Sequence, residues 1–356
     1  VGWIPLFRSH HVASTRIRCI NIVEELRKRG LDAELFTQHK FDSYSILVFL
    51  KAYERDHVAL ARKAKRGGKR VVFDICDNHF IKANETTSER NRISYLEEML
   101  SLSDEIVVST EVLRKTVIER HPSLASRITV IGDAVEESLP RSHFFAEVVE
   151  RIMLFFLRLF IHVQGKAGRT PLVWFGIHGG KNADYGMQDL FKISDNLNTL
   201  TKTHNISLTI ISNNYLKYRA LSKAFMVPIF YMPWGGSTFF NALSMHRICI
   251  IPITRNSFTE CKSNNRVALS ISRGLAVVTS TPIPAYEEFL PYIKAGDINA
   301  GIRTYIDNPA RAAADVSAGK VYVGQHYSLK PIASKWAALL LGINTHEQSI
   351  PNVKIL

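Results

Sequence analysis

Several features that mark specialised protein classes are scarce in this chain of 356 residues. Its four cysteines lie far apart, mostly inside apolar runs, and neither a CxxC pair nor a Cys/His cluster suggests a metal site. We therefore expect reduced, buried thiols and neither a metal ion nor another cofactor. Low-complexity sequence is also scarce, which argues against long disordered arms. Because the charged segment and cleavage site of a signal peptide are not visible, we expect a cytoplasmic protein.

An uncharged hydrophobic run long enough to cross a membrane is missing as well. The most apolar stretch is residues 144–163, but it contains Glu147, Glu150, Arg151 and Arg158, and charges at those depths of a bilayer are costly. At the helical period its apolar residues fall on one face. The sequence therefore predicts a core helix, and the alternative is a helix that lies on a membrane surface.

Positive charge is the strongest compositional feature. The formal net charge is +13 and the isoelectric point is near 9.6, which favours anionic partners such as nucleic acid, anionic lipid or phosphorylated small molecules. Much of the excess lies in residues 62–70 and in the set Arg141, Arg151, Arg158, Lys166 and Arg169. Each group can also be a solvated helix face. Because aromatic residues are not interleaved with either group, we expect no nucleic-acid partner.

Short β-rich runs alternate with amphipathic helical runs twice along the chain. The strand candidates are residues 3–6, 33–36, 46–50, 70–76, 105–109 and 128–131, then a second series from Leu172 through 207–212, 229–232, 247–252 and 275–280. This pattern predicts an α/β protein with two facing Rossmann-like domains, each with a parallel sheet, and a central cleft between them. We expect the first domain at 1–165, the second at 166–326, a helix at 327–342 that crosses back to the first domain, and a tail at 343–356.

Three polar residues follow one strand of the second series. Lys262, Asn265 and Arg266 stand at i, i+3 and i+4, so a helix that begins near Ser263 would point them to one side. The free N–H groups and the dipole of a helix start add positive potential there. The sequence predicts a diphosphate site, and the alternative is a solvent-exposed basic turn.

Glycines and one tryptophan mark other strand ends of this half. Gly176, Gly179 and Gly180 bracket His178 directly after a strand, where a backbone without side chains can approach a phosphate. The alternative is a purely structural turn. Trp234 follows a further strand and could stack on a base or sugar, or pack in the core.

The order of these segments resembles that of GT-B glycosyltransferases of the family-4 type that makes bacterial surface polysaccharides. KSNNRVALSISRGLAVVTSTPIPAYEEF, residues 262–289, is similar to the family stretch that runs from a KxxNK-type helix into a GxPVV-type strand and grips the donor diphosphate and ribose. DICDNHF, SDEIVVST and RITVIGDAVEE resemble the strand ends of the first domain, and WFGIHGG, ISNNY and MPWGG those of the donor domain. The resemblance adds Ser212 and Asn213 to the expected donor-binding residues.

The resemblance implies transfer of a sugar from a nucleotide-sugar donor to a glycan or lipid-linked glycan, in surface polysaccharide or lipopolysaccharide synthesis. The basic surface and the apolar helix would place such an enzyme peripherally on the inner membrane face. Transfer needs a group that takes the acceptor proton, and Asp77 and His79 follow a first-domain strand. We expect one of these two in that role, although Asp77 can instead cap a turn. Acceptor-binding candidates are His10, His11, Arg16 and Arg18, all of which can also be ordinary surface residues.

One departure from the family concerns the donor ribose. Many retaining members carry two glutamates eight positions apart, and the matching positions here are Cys261 and Leu269, neither of which can bind ribose hydroxyls. Glu260 lies one residue away from the first. Alternatives are therefore a sugar-nucleotide epimerase of the same fold, or a non-catalytic nucleic-acid- or glycan-binding protein. The sugar, the base and the stereochemistry stay open.

Overall fold

The computed structural model describes residues 1–81, 87–177 and 185–343, with the backbone alone at 87–89. Contacts divide the chain into two compact units. The first contains Val1–Glu136, the short segment Glu260–Ser263 and, among the described residues, 325–343. The second contains Glu137–Thr259 and Asn264–Gly324. The sequence placed the first boundary later, at residue 165.

The first unit is built on a six-stranded sheet in which all neighbours are parallel. Its strands are β1 (Gly2–Pro5), β2 (Glu34–Leu35), β3 (Ile46–Leu50), β4 (Arg70–Ile75), β5 (Glu105–Val108) and β6 (Ile128–Val130). The order across the sheet is β2-β1-β3-β4-β5-β6. The central strands read as continuous apolar runs because helices cover both faces of a parallel sheet.

The second unit repeats this architecture. Its strands are β7 (Thr170–Phe175), β8 (Ile206–Ser212), β9 (Ile229–Pro233), β10 (Ile248–Ile251), β11 (Ala276–Thr279) and β12 (Lys294–Ala295). They form a parallel sheet in the order β12-β11-β10-β7-β8-β9. The prediction of an α/β protein with two Rossmann-like parallel sheets is confirmed; β12 was not predicted, because two residues carry too little pattern.

Helices connect the strands. They are α1 (Ala13–Thr15), which continues through the π-helical turn Arg16–Ile20 into α2 (Asn21–Lys28), then α3 (Arg55–Arg66), α4 (Thr87–Leu102), α5 (Glu111–Arg120), α6 (Phe144–Lys166), α7 (Met187–Lys192), α8 (Ser194–Leu200), α9 (Tyr215–Leu221), α10 (Phe239–Leu243), α11 (Asn265–Ser272), α12 (Ile298–Asp307), α13 (Pro309–His326) and α14 (Leu329–Leu341). Short 3-10 turns lie at Gln38–Ser43, Pro122–Arg127, Ser222–Ala224 and Pro284–Tyr292.

Helix α14 packs in the core of the first unit. Trp336 is fully buried, and its ring lies edge-on to that of Trp3 with centroids 5.5 Å apart. Arg70 donates to the carbonyl oxygens of Leu340, at 2.9 Å, and Leu339, at 2.6 Å, at the end of the helix. Aromatic burial and capping of free carbonyls together attach this helix to β1 and β4.

Helix α6 is not the core helix predicted for residues 144–163, and that prediction is wrong. Only Glu150, Leu154 and Leu157 are buried along its described length, whereas most of its large apolar side chains face solvent. The helix belongs to the second unit, where Phe160 stacks on Phe230 of β9 with ring centroids 5.4 Å apart. Among the described residues, none of the helices is long and apolar enough to span a bilayer.

Candidate functional site

The strand orders locate where each sheet can hold a ligand. In an open parallel sheet, ligands bind outside the carboxyl ends of the strands at the point where the chain reverses its direction of winding. That point lies between β1 and β3 in the first unit and between β7 and β10 in the second. A ligand of either sheet would therefore contact the loops that follow these four strands.

A cavity of about 210 Å³ lies at this point of the first unit. It is lined by residues that follow β1 and β3 and by neighbours from the first helix and β4, namely Leu6, Phe7, Val12, Ser14, Thr15, Leu50, Lys51 and His79. Pockets that bind drug-sized ligands usually have volumes of about 300–1,000 Å³, so this cavity is smaller than those. Apolar walls with a few hydroxyl and nitrogen groups suit one small polar ring, such as a single sugar.

Asp77 lies beside this cavity and is held by two ammonium groups. Lys51 Nζ lies 2.6 Å from one carboxylate oxygen, and Lys262 Nζ lies 2.9 Å from the other. Burial would raise the pKa of Asp77, but the charges of Lys262 and Lys51 outweigh it and hold that pKa far below its usual value. Asp77 is thus an ionised carboxylate whose two oxygens are both engaged, so it holds the lysines and is a weak base.

Lys51 itself was missed by the sequence analysis. It directly follows β3, and its φ of 55° places it in the left-handed region that non-glycine residues rarely adopt. Such backbone strain persists where the surroundings enforce it, and here the Asp77 carboxylate fixes the side chain. Its position directly after a strand at the winding reversal was the available signal.

His79 lies on the same loop as Asp77 and lines the cavity. Its Nδ1 lies 2.9 Å from the hydroxyl of Tyr53, which in turn accepts a hydrogen bond from Arg92 at 2.9 Å. Burial, together with the charge of Lys51, lowers the pKa of His79 to about 4. The imidazole is therefore neutral near pH 7 and can exchange hydrogen bonds with an uncharged ligand.

The two arginines predicted to bind an acceptor have internal partners. Arg18 is buried; it pairs with Asp74 and with Asp133, each at 2.8 Å, and donates to the Ile131 carbonyl at 2.9 Å. Burial disfavours the charge of Arg18, but these carboxylates raise its pKa overall. The structure therefore gives Arg18 a structural role in place of acceptor binding, because its guanidinium N–H groups already donate to partners inside the first unit.

Arg16 is similarly engaged. Its Nε lies 2.7 Å from a carboxylate oxygen of the buried Glu136, and its Nη1 donates to the His10 carbonyl at 2.7 Å. His10 and His11 themselves lie exposed in the loop between β1 and α1. Arg16 thus fixes this loop rather than offering a free charge, and the two histidines stay a prediction.

In the second unit, four of the predicted donor-binding residues come together. Arg266 Nη1 lies 3.4 Å from the Phe175 carbonyl at the end of β7, and a Cβ at Gly176 would approach the same guanidinium to 3.3 Å. Ser212 donates to the Gly176 carbonyl at 2.8 Å, and the Trp234 amide donates to Ser212 at 2.8 Å. Arg266, Gly176, Ser212 and Trp234 therefore line neighbouring strand ends.

Two buried polar residues, Tyr286 and Asp189, interact with Arg266. Burial raises the pKa of Tyr286, and the charge and hydrogen bond of Arg266 act against that rise. Burial likewise raises the pKa of Asp189, whose carboxylate accepts from the Thr254 hydroxyl at 2.6 Å and the Gly186 amide at 2.9 Å. Asp189 thereby ties the loop after β10 to the start of α7, at the winding reversal of this sheet.

Helix α11 begins later than the sequence suggested. Asn264 is its N-cap and Asn265 its first residue, so Lys262 precedes the helix and the i, i+3, i+4 spacing does not apply to it. Lys262 belongs to the first unit, whereas Asn265 and Arg266 belong to the second. Asn213 follows β8 and is exposed. His178, Gly179 and Gly180 lie outside the described residues, so their predicted role stays a prediction.

The segment Glu260–Ser263 is fixed within the first unit by consecutive contacts. The Thr110 hydroxyl donates to the Cys261 carbonyl at 3.2 Å, Lys262 pairs with Asp77, and the Ser263 hydroxyl donates to Asp133 at 2.6 Å. Within the described ranges, three or more His, Cys, Asp or Glu side chains do not gather where they could hold a metal ion. The polar groups beside the cavity are therefore ion pairs and hydrogen-bond donors.

Comparison with known proteins gives a similar fold but little sequence similarity. No protein-family model matches the chain, and no curated protein matches it. Among solved structures, WaaG, a glycosyltransferase involved in lipopolysaccharide biosynthesis, is 12% identical with a TM-score of 0.62, over 96% of this chain and 99% of that one. TarM of S. aureus, solved with UDP and alpha-GlcNAc-glycerol, is 14% identical with a TM-score of 0.55, over 84% and 55%.

A third similar structure belongs to a different reaction class. A putative UDP-N-acetylglucosamine 2-epimerase from Listeria monocytogenes is 10% identical with a TM-score of 0.57, over 99% of both chains. Identities this low establish the fold alone. The chain has the two-domain GT-B fold, so the resemblance seen in its sequence is confirmed at the level of architecture.

Proposed function

We propose that this protein is a glycosyltransferase that moves a sugar from a nucleotide-sugar donor to a glycan or lipid-linked glycan acceptor. The observation that carries the proposal is the match to WaaG over nearly the full length of both chains. WaaG acts in lipopolysaccharide biosynthesis, and TarM was solved with UDP. A surface glycan, such as a lipopolysaccharide intermediate, is therefore the acceptor class that we propose.

The donor diphosphate is assigned to the second unit. Arg266, in the first turn of α11, places its guanidinium against Gly176 and the Phe175 carbonyl at the end of β7. Cleavage of the donor bond builds negative charge on the leaving diphosphate, and a fixed cation stabilises that charge more in the transition state than in the ground state. Ser212 and Trp234 border the same strand ends and contact the rest of the nucleotide.

The acceptor is assigned to the cavity of the first unit. The neutral His79 has its Nδ1 facing Tyr53, and we assign the other nitrogen, Nε2, to the acceptor hydroxyl. Asp77 acts as a positioning residue, because its carboxylate holds the Lys51 and Lys262 ammonium groups in place. Lys262 is held by Asp77 within the first unit, and its predicted contact with the donor diphosphate stays a prediction.

The test of transfer uses a panel of radiolabelled nucleotide sugars with lipid-linked and lipopolysaccharide-core glycans as acceptors. Arg266→Ala should lower kcat/KM by about 10²–10³-fold, the usual effect of removing one preorganised charge-stabilising group. Arg303→Ala removes the same charge from an exposed position of α12 and should leave the rate unchanged. If Arg266→Ala keeps wild-type turnover, the assigned role is wrong; if none of the donors transfers to any acceptor, so is the proposed activity.

Epimerisation of a sugar nucleotide is the second candidate, because the Listeria structure matches 99% of both chains. The same diphosphate site would serve, but an acceptor would not be needed. Incubation of each nucleotide sugar with the protein alone, followed by proton NMR of the anomeric region, separates the two reactions. Appearance of an epimer without any glycan present would favour the epimerase and count against the transferase.

A further inference from the structure

Helix α6 exposes a large set of apolar side chains in the second unit. Phe145 is 83% exposed and Phe155 62% exposed, and both are aromatic. The full set of exposed apolar residues on the helix is Phe144, Phe145, Val148, Val149, Ile152, Phe155, Phe156, Leu159 and Val163. Scattered exposed apolar residues are ordinary, but a contiguous set on one element marks an interaction surface.

The exposed residues form one continuous stripe along the helix. At about 100° per residue, all of them except Phe144 fall within an arc of roughly 120°. The buried residues Glu150, Leu154 and Leu157 point in the opposite direction, toward the sheet. One face of the helix is therefore buried against the second unit, and the opposite face, which is apolar, is exposed to solvent.

Buried contacts hold the helix against its own unit. The carboxylate of Glu150 accepts from the Ser237 amide at 3.0 Å and from the Ser142 hydroxyl. Gly235 leaves room for this carboxylate, since a Cβ there would lie 2.0 Å from Glu150 Cδ. Phe160 stacks on Phe230 further along. The stripe cannot turn inward without breaking these contacts, so its exposure is built into the fold.

Basic side chains of α6 lie along one edge of the apolar stripe. Arg151, Arg158 and His162 fall on one flank of the apolar stripe, at roughly 80–120° from Glu150 on the helical wheel, and all three are exposed. Of the two acidic residues, Glu150 is buried, and Glu147 lies next to Arg151 and pairs with it at 2.6 Å, so Arg158 is the main source of net positive charge on this flank. An apolar stripe with a basic flank, on a chain of net charge +13, complements an anionic phospholipid surface.

We propose that α6 lies flat on an anionic membrane, with its phenylalanines in the acyl boundary and its basic flank at the headgroups. Among the described residues, none of the helices can span a bilayer, so this contact is interfacial. A second copy of the chain is a poorer occupant. A two-fold pairing of α6 would bring two chains of charge +13 together, and their basic flanks would oppose association.

The experiment is co-sedimentation of the full chain with vesicles of phosphatidylcholine alone or with one quarter phosphatidylglycerol. Binding should require the anionic lipid and weaken as salt rises. The double variant Phe155→Ser/Phe156→Ser should lower the partition coefficient at least tenfold, because it removes two of the apolar side chains that would be buried in the acyl boundary. Leu216→Ser/Met226→Ser removes two apolar residues that are 75% and 79% exposed elsewhere in the unit, and should bind as the wild type does.

A second measurement guards against misfolded variants. In Phe155→Trp, the new indole should shift to shorter wavelength on anionic vesicles and be quenched by brominated acyl chains. The proposal is overturned if the wild type binds both vesicle types equally or not at all, or if the Phe155/Phe156 variant keeps full binding. Sedimentation velocity that shows a dimer abolished by that variant, without vesicle binding, would assign the stripe to a second copy instead.

Discussion

Replacing Asp77 by Asn removes a carboxylate that pairs with two lysines, Lys51 and Lys262. The side chains of Asp77, Lys51 and Lys262 are 17%, 20% and 32% exposed, with pair distances of 2.6 and 2.9 Å. Removal of one partner from a fully buried pair costs about 3–5 kcal/mol, because a charge is left without compensation. Since some solvent reaches these groups, we expect Asp77→Asn to destabilise the first unit by about 2–3 kcal/mol.

The effect should depend on pH in a defined direction. The folded pKa of Asp77 is lowered, so its contribution is complete above the unfolded value of about 3.9 and is lost as the pH falls toward the folded value. The stability difference between wild type and variant should therefore be constant from about pH 5 to 7 and shrink below about pH 4. The two stabilities are compared by urea unfolding, with hydrogen exchange of the β3 and β4 amides to report on the first unit.

Asp42→Asn is the control for this measurement, because Asp42 is exposed in the same unit. That change should alter stability by no more than about 0.5 kcal/mol. The reasoning is refuted if Asp77→Asn is as mild as Asp42→Asn, or if the difference from wild type grows as the pH falls. Either result would mean that the Asp77 carboxylate does not stabilise the Lys51 and Lys262 charges in the folded protein.

Three further predictions concern other parts of the molecule. Gly235→Ala should destabilise the second unit by about 1–3 kcal/mol, because its Cβ would meet the Glu150 carboxyl, whereas Gly165→Ala has open space and should be neutral or slightly stabilising; thermal unfolding compares them. His79 should titrate near pH 4 by NMR, and stability should fall as the pH drops from about 6.5 toward 4, because only the unfolded chain takes up the proton there; a midpoint near 6.5 would contradict this. Trp336→Ala should cost about 3–5 kcal/mol in urea unfolding, and a cost below about 1 kcal/mol would be inconsistent with its full burial.

Most of the sheet architecture was predictable from sequence, because buried parallel strands are apolar runs separated by helical patterns. The candidates at 46–50 and 70–76 match β3 and β4 to within a residue, for example. The strand order was not readable, since it depends on contacts between distant segments. The helix at 144–163 was located correctly from its periodicity. Periodicity does not show, however, whether an apolar face packs against protein or is exposed to solvent.

The site was predicted less completely. Asp77 was found because it lies in the loop after β4, where the fold concentrates ligand contacts. Arg266 was found because it is a cation at the start of α11. The prediction that Arg18 binds an acceptor failed, because the sequence does not show whether an arginine near a loop faces solvent or a buried carboxylate such as Asp74. Lys51 was missed although it directly follows β3, because its ion pair with Asp77, 26 positions away, is a contact between distant segments.

The positions of the missing glutamates bear on how a donor ribose could be bound. Cys261 is 2% exposed within the core of the first unit, and Leu269 is 3% exposed in α11. A carboxylate at either position would lie among apolar neighbours, at a cost of several kcal/mol unless it were paired. Their replacement is therefore part of the packing rather than the loss of a surface group. If the protein binds the nucleotide-sugar donor that we propose, other groups must hold the ribose. Glu288 offers a carboxylate beside the N-cap of α11, where it accepts a hydrogen bond from Asn264 at 2.9 Å.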